Sequence, residues 1–196
     1  MKKTLLPLLL LLSFAACKKA PLDGTVSPTD VSLPAMRSID LHDAIVHAGQ
    51  TQAVDLDGDG AVDFRFKMQL VGDPLLQVDK HQFCVTSGIQ RNLLVNEQDE
   101  TLPFGAATTI APTQPGFNWY EVGLSVLAEK IVGNTETWWD GLWKTAQHRF
   151  LAVQVQRGDL RYMGWIELSM DRANEKLVLH RAALNLSPNV AIVTGR

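Results

Sequence analysis

From residue 39 onward the chain alternates short apolar runs with breaks of Gly, Pro, Asn and Asp, and breaks at intervals of roughly ten to fifteen residues predict strands. The clearest alternation is Val62-Asp63-Phe64-Arg65-Phe66-Lys67-Met68, with apolar side chains on one parity and charged ones on the other. Period two of this kind belongs to a strand buried on one face. Strands are predicted at 39–46, 53–56, 62–71, 82–86, 119–126, 150–156, 162–170, 176–181 and 190–193. Segment 121–130 has some helix propensity, but Gly123 and the alternation of Val122, Leu124 and Val126 favour a strand running into a turn. Successive strands without crossover helices pair antiparallel, and at this length two layers cover the sheets economically. The expected fold is all-β: an antiparallel β-sandwich or jelly-roll-like single domain over 38–196.

Upstream of that domain the pattern changes. Lys2 and Lys3 precede an apolar stretch, 5–12, broken by Pro7, the layout of a secretory signal and too short for the ~20 residues of a membrane span. Ser13-Phe14-Ala15-Ala16-Cys17 resembles the lipobox cut by the lipoprotein signal peptidase, with Phe14 where Leu is usual. The resemblance implies that residues 1–16 are removed and that Cys17 carries diacylglycerol, an attachment that two or more acyl chains make stable. Lys18-Lys19, with no Asp at the second mature position, resembles lipoproteins passed to the outer membrane of a Gram-negative cell. Residues 18–37 hold Pro21, Pro28 and Pro34 among Ser, Thr, Asp and Gly, so 17–37 reads as lipidated Cys and tether.

Losing Lys2 and Lys3 with the signal takes the formal charge from −3 to −5. A mildly acidic domain lacks the basic stripe that phosphate backbones require, which disfavours nucleic acid as a partner. With Cys17 lipidated, Cys84 has no partner for an intramolecular disulfide. It sits in the strand-like run Gln82-Phe83-Cys84-Val85-Thr86 and reads as a buried, inert thiol.

The sharpest local feature is Asp55-Leu56-Asp57-Gly58-Asp59-Gly60-Ala61-Val62-Asp63. Calcium takes six to eight oxygens, and this spacing offers side-chain oxygens at the first, third and fifth places with Gly permitting the bend. Asp55, Asp57 and Asp59 are expected to ligate through side chains, Ala61 through its carbonyl, and Asp63 directly or through water. Carboxylates held ~6 Å apart repel by about 0.7 kcal/mol per pair even at water's dielectric, which a cation would relieve. An ordinary Asp-Gly hairpin turn is the alternative. An EF-hand is excluded, because its twelfth place holds Phe66 inside the alternating strand. The loop looks more like the nine-residue D-x-D-x-D-G-x-x-D turns joining strands in integrin-like propellers, and the ion expected is structural.

The acidic turn followed by Phe64-Arg65-Phe66, with Arg161-Tyr162-Met163-Gly164-Trp165 later and a Ser187-Pro188-Asn189 turn near the end, resembles a group of largely uncharacterised secreted bacterial proteins. Met163 and Leu184 stand where that pattern usually has aromatics. The resemblance spans roughly 53–194 and implies a β-sandwich without an assigned activity.

No catalytic residue is expected. Gly123-Leu124-Ser125-Val126-Leu127 lacks the closing Gly of a nucleophile elbow, and His42 and His47 fit no zinc spacing. Glu121, Glu129, Glu136 and Asp140 are available as carboxylates that meet only in the fold. Trp138, Trp139 and Trp143 crowd a segment read as a loop or short turn, and are candidate glycan contacts, since exposed indoles stack on sugars. Burial inside the sandwich is the competing expectation. The expected function is therefore a non-enzymatic, calcium-stabilised envelope module recognising a glycan or protein. An envelope hydrolase acting on polysaccharide would show a cleft with two carboxylates near 138–143. A structural surface component would bury every Trp and leave an apolar edge or patch.

Overall fold

A computed structural model describes residues 34–196, which belong to one compact unit. The expected signal segment 1–16, Cys17 and the tether as far as residue 33 lie outside the described residues. The strands are β1 (Met36–Val46), β2 (Thr51–Val54), β3 (Phe64–Asp73), β4 (Val78–Ser87), β5 (Arg91–Val95), β6 (Thr109–Ile110), β7 (Asn118–Tyr120), β8 (Ser125–Val132), β9 (Thr137–Asp140), β10 (Arg149–Arg157), β11 (Leu160–Asp171), β12 (Lys176–Asn185) and β13 (Ile192–Val193). All pair antiparallel, and no helix occurs among the described residues. The all-β sandwich is thus the observed architecture.

Alternation explains the first layer. In the five-stranded sheet β2-β3-β4-β8-β9, Phe64, Phe66, Phe83 and Val85 turn inward and are buried. The six-stranded sheet β1-β12-β11-β10-β5-β7 meets them with Leu151, Val153, Val155, Ile166 and Leu168. Burying each such side chain stabilises by about 1.5–3 kcal/mol relative to exposure, so the two inner faces dominate the stability.

β10 and β11 are buried on both faces, and a third layer is the reason. The short β6–β13 ribbon lies over the outer side of the six-stranded sheet, packing Ile110 and Ile192 with Phe150, Ala152, Met163 and Trp165. Phe150 and Trp165 meet edge to face at 5.2 Å, an arrangement the ring quadrupoles favour. Gly164 has no room for more: a Cβ there would stand 2.6 Å from the Ala183 carbonyl oxygen.

Several boundaries differ from expectation. β1 starts at Met36, inside the segment assigned to the tether. The strand expected at 119–126 is two strands, β7 and β8, in different sheets. β9 occupies part of the tryptophan segment read as a loop, where Ile131 pairs with Trp138 and Lys130 with Trp139.

Candidate metal centre and sheet-face cleft

Val54 pairs with Phe64, so the nine residues of the acidic segment, four of them Asp, form the connection of the β2–β3 hairpin. The Asp63 N–H donates to the Val54 carbonyl at 2.9 Å and closes it. Gly58 and Gly60 take φ of +68° and +87°, a backbone region that favours glycine because it lacks Cβ. The carboxylates then shape the loop from within. Asp55 accepts from the Gly58 N–H at 2.6 Å and the Gly60 N–H at 2.9 Å. Asp59 accepts from the Ala61 N–H at 2.7 Å, and Asp63 from the Leu56 N–H at 2.5 Å.

Asp55, Asp57 and Asp63 each bring one oxygen within 4.8 Å of the others. Calcium sits 2.3–2.6 Å from its ligands, so oxygens on one ion lie no more than about 5 Å apart, and these three could hold a metal ion. Asp59 stands outside that group, with its side chain about half exposed. Ala61 is exposed in the same loop.

Three arginines converge on the turn, none of them anticipated. Arg91, at the start of β5, donates through Nε to Asp63 and lies 3.2 Å from Asp57 and 3.7 Å from Asp59. Arg157, at the end of β10, reaches Asp57 at 2.8 Å. Arg37, on β1, donates to the Asp57 carbonyl and fills the space a side chain at Gly58 would need. Burial works to raise the Asp57 carboxyl, but the Arg157 hydrogen bond and the Arg91 charge outweigh it and hold it below the usual range. At Asp63 burial wins, and its carboxyl is pushed up despite Arg91 and Leu56. A cation here would share Asp57 and Asp63 with guanidinium groups, which would lower the affinity that the three carboxylates could otherwise confer.

No known protein family, curated protein or solved structure matches this chain. Its chemistry has to be read from its own residues.

The tryptophan trio divides. On β9 successive side chains point to opposite faces. Trp139 turns inward and stacks on Phe83 at 5.9 Å. Trp138 faces outward and is 41% exposed. Trp143 is fully buried and donates from Nε1 to the Thr101 carbonyl at 2.9 Å. Of the three candidate glycan contacts, Trp143 is thereby removed from any surface, because Gly141 at φ +93° turns the chain back over Leu127 and Ala128.

Beside Trp138 the outer face of the five-stranded sheet carries a polar row. Gln69 donates to Gln82 at 3.0 Å and Gln82 to Glu129 at 2.8 Å, and Glu129 pairs across the ladder with Asp140. A cleft of about 560 Å³ opens here, lined among others by Lys80, Gln82, Glu129, Asp140 and Lys144. Hydrolysis of a glycoside needs one carboxyl kept protonated. The Gly141 N–H and Lys144 hold the Asp140 carboxyl below the usual range, the state of the ionised partner that such hydrolysis also uses, so Glu129 and Asp140 supply the two carboxylates near 138–143 that a hydrolase would show. Cys84, on the same face, is buried, and burial pushes its thiol up to about 11, which removes it as a nucleophile at neutral pH.

Proposed function

We propose that this protein is an exported, lipid-tethered envelope module that binds a glycan on the outer face of its five-stranded sheet and is braced by a calcium ion in the β2–β3 turn. Trp138 carries the reading. An exposed indole stands on the same face as a row of amide and carboxylate groups, pairing an apolar platform with hydrogen-bonding tips as sugar recognition requires. The Asp55, Asp57 and Asp63 group supports the cation, with an affinity in the weak range of extracellular modules, about 10⁻⁴–10⁻³ M. Export and anchoring rest on the lipobox-like Ser13-Phe14-Ala15-Ala16-Cys17.

Calorimetric titration of the full chain with tetrasaccharides of glucose and of N-acetylglucosamine tests the face. Heat of binding that disappears in Trp138→Ala and weakens in Glu129→Gln is expected. Silence with both sugars, or an affinity indifferent to Trp138, overturns the glycan reading. Thermal melts with calcium and with chelator test the turn. The midpoint should rise with calcium, and the rise should vanish when Asp57→Ala and Asp59→Ala are combined; coincident curves for the unmutated chain overturn the cation.

A further inference from the structure

Two irregularities in the six-stranded sheet meet at one residue. The β11–β12 register breaks between Glu167 and Leu168, whose partners are Arg181 and Leu179, leaving His180 as the extra residue. Beside it the β1–β12 register breaks between Asp40, paired with Arg181, and Ala44, paired with Leu179. The bulged part of β1 holds His42 and Asp43 at φ of +55° and +52°, left-handed conformations that cost energy outside glycine. Bulges re-aim side chains, and here they aim two at a third. His180 Nε2 lies 2.8 Å from Ser169 Oγ, and His180 Nδ1 lies 2.5 Å from Asp43 Oδ1.

The donor roles follow from the acid. An ionised carboxylate only accepts, so Nδ1 carries the proton toward Asp43 and Nε2 is left to accept from the Ser169 hydroxyl. Nucleophile, base and orienting group thus stand in hydrogen-bond sequence, the signature of an activated serine. The surroundings keep that order. The His148 backbone N–H donates to Ser169 Oγ at 2.9 Å. The His148 ring stacks on His180 at 4.3 Å and bonds Glu167 at 2.8 Å, and Glu167 also accepts from Arg181 Nε at 2.6 Å. A pocket of about 500 Å³ opens over Ser169, His148 and His180, with Val178 and Ala173 as apolar lining and Arg172 beside them.

We propose that Ser169, His180 and Asp43 form an acyl-transfer site that hydrolyses carboxylic esters with small acyl groups, on the opposite side of the sandwich from the Trp138 face. Ser169 Oγ attacks the ester carbonyl while its proton passes to His180 Nε2. Collapse of the tetrahedral adduct breaks the bond to the alcohol, which leaves with that proton. Water, deprotonated by His180, then attacks the acyl-serine, releasing the carboxylic acid and restoring the Ser169 hydroxyl. The His148 N–H, donating to Oγ at 2.9 Å, fixes the nucleophile in place for that attack. Small acyl groups are specified because the apolar lining beside Ser169 is confined to Val178 and Ala173. Ser169 and His180 are the catalytic residues, and Asp43 is a positioning residue.

The test treats the purified full chain with a fluorophosphonate, followed by peptide mass spectrometry, and with 4-nitrophenyl acetate. An adduct on Ser169 is expected, together with nitrophenol release that falls roughly a hundredfold or more in Ser169→Ala and in His180→Asn. Asp43 is about three-quarters exposed, so Asp43→Asn leaves the fold intact by circular dichroism. Its kcat should fall at least roughly tenfold with KM unchanged, a split that a merely structural role would not produce. A folded chain that takes no fluorophosphonate on Ser169 overturns the proposal whatever the variants do. So does turnover in Asp43→Asn equal to that of the unmutated chain.

Discussion

Replacing Asp63 by Ala separates two roles that the acidic turn combines. Asp63 is 1% exposed. One carboxylate oxygen accepts from the Leu56 N–H, itself in a fully buried residue, and the other accepts from Arg91 Nε. Removing the carboxylate strands a buried N–H, which costs about 1–3 kcal/mol. It also leaves the Arg91 guanidinium, 12% exposed, with part of its pairing, and breaking a buried ion pair costs about 3–5 kcal/mol. The two figures describe overlapping losses, so the expected destabilisation is about 3–5 kcal/mol rather than their sum. For a domain of this size that lowers the melting midpoint by roughly 6–20 °C. Urea denaturation of the full chain, with calcium and with chelator, reads it directly. A residue that acts only by ligating a metal stabilises through mass action, so its removal would cost nothing once chelator is present. The arginine network predicts that the loss persists in chelator. If Asp63→Ala in chelator costs less than about 1 kcal/mol, the structural role assigned to Asp63 is wrong. Asp59→Ala is the internal control: half exposed and outside the three-carboxylate group, it should move chelated stability by less than about 0.5 kcal/mol.

Gly164→Ala places a Cβ 2.6 Å from a backbone oxygen on β12 and 3.2 Å from Leu184 and Val153 side chains, so overpacking should cost about 1–3 kcal/mol; an unchanged urea midpoint would show that the strands yield. Trp143→Ala should cost about 3–5 kcal/mol, while Trp138→Ala stays within about 1 kcal/mol, and equal losses would mean the two indoles are equally packed. Cys84 should resist a disulfide reagent at pH 8 until the chain is denatured, since its thiol is buried and pushed up to about 11; rapid modification of the native chain would contradict that burial.

Much of the fold was legible where a strand has one wet face. Val62, Phe64, Phe66 and Met68 announce β3 by period two, and the observed pairing of Val54 with Phe64 follows from the acidic turn between them. Reading failed where context overrides pattern. β9 is four residues long and closely followed by Gly141, so its Trp-Trp pair looks like loop until β8 pairs with it. Trp143 offers no local signal of burial, because what buries it is a turn folded back over β8.

The sequence by itself determined the strands with one wet face, the β2–β3 hairpin and the clustering of carboxylates in its turn, because those depend on backbone period, glycine conformations and side chains within nine residues of one another. It determined too that the acidic turn would need positive charge. Which charge arrives was decided by tertiary structure: Arg37, Arg91 and Arg157 lie 20, 34 and 100 residues from Asp57. The Ser169, His180 and Asp43 alignment has the same origin, with 11 residues separating the first pair and 137 the second. Nothing in the spacing of these residues encodes their meeting. It exists because β1 and β11 both pair with β12, and because bulges in those ladders turn His180 and Asp43 toward one another.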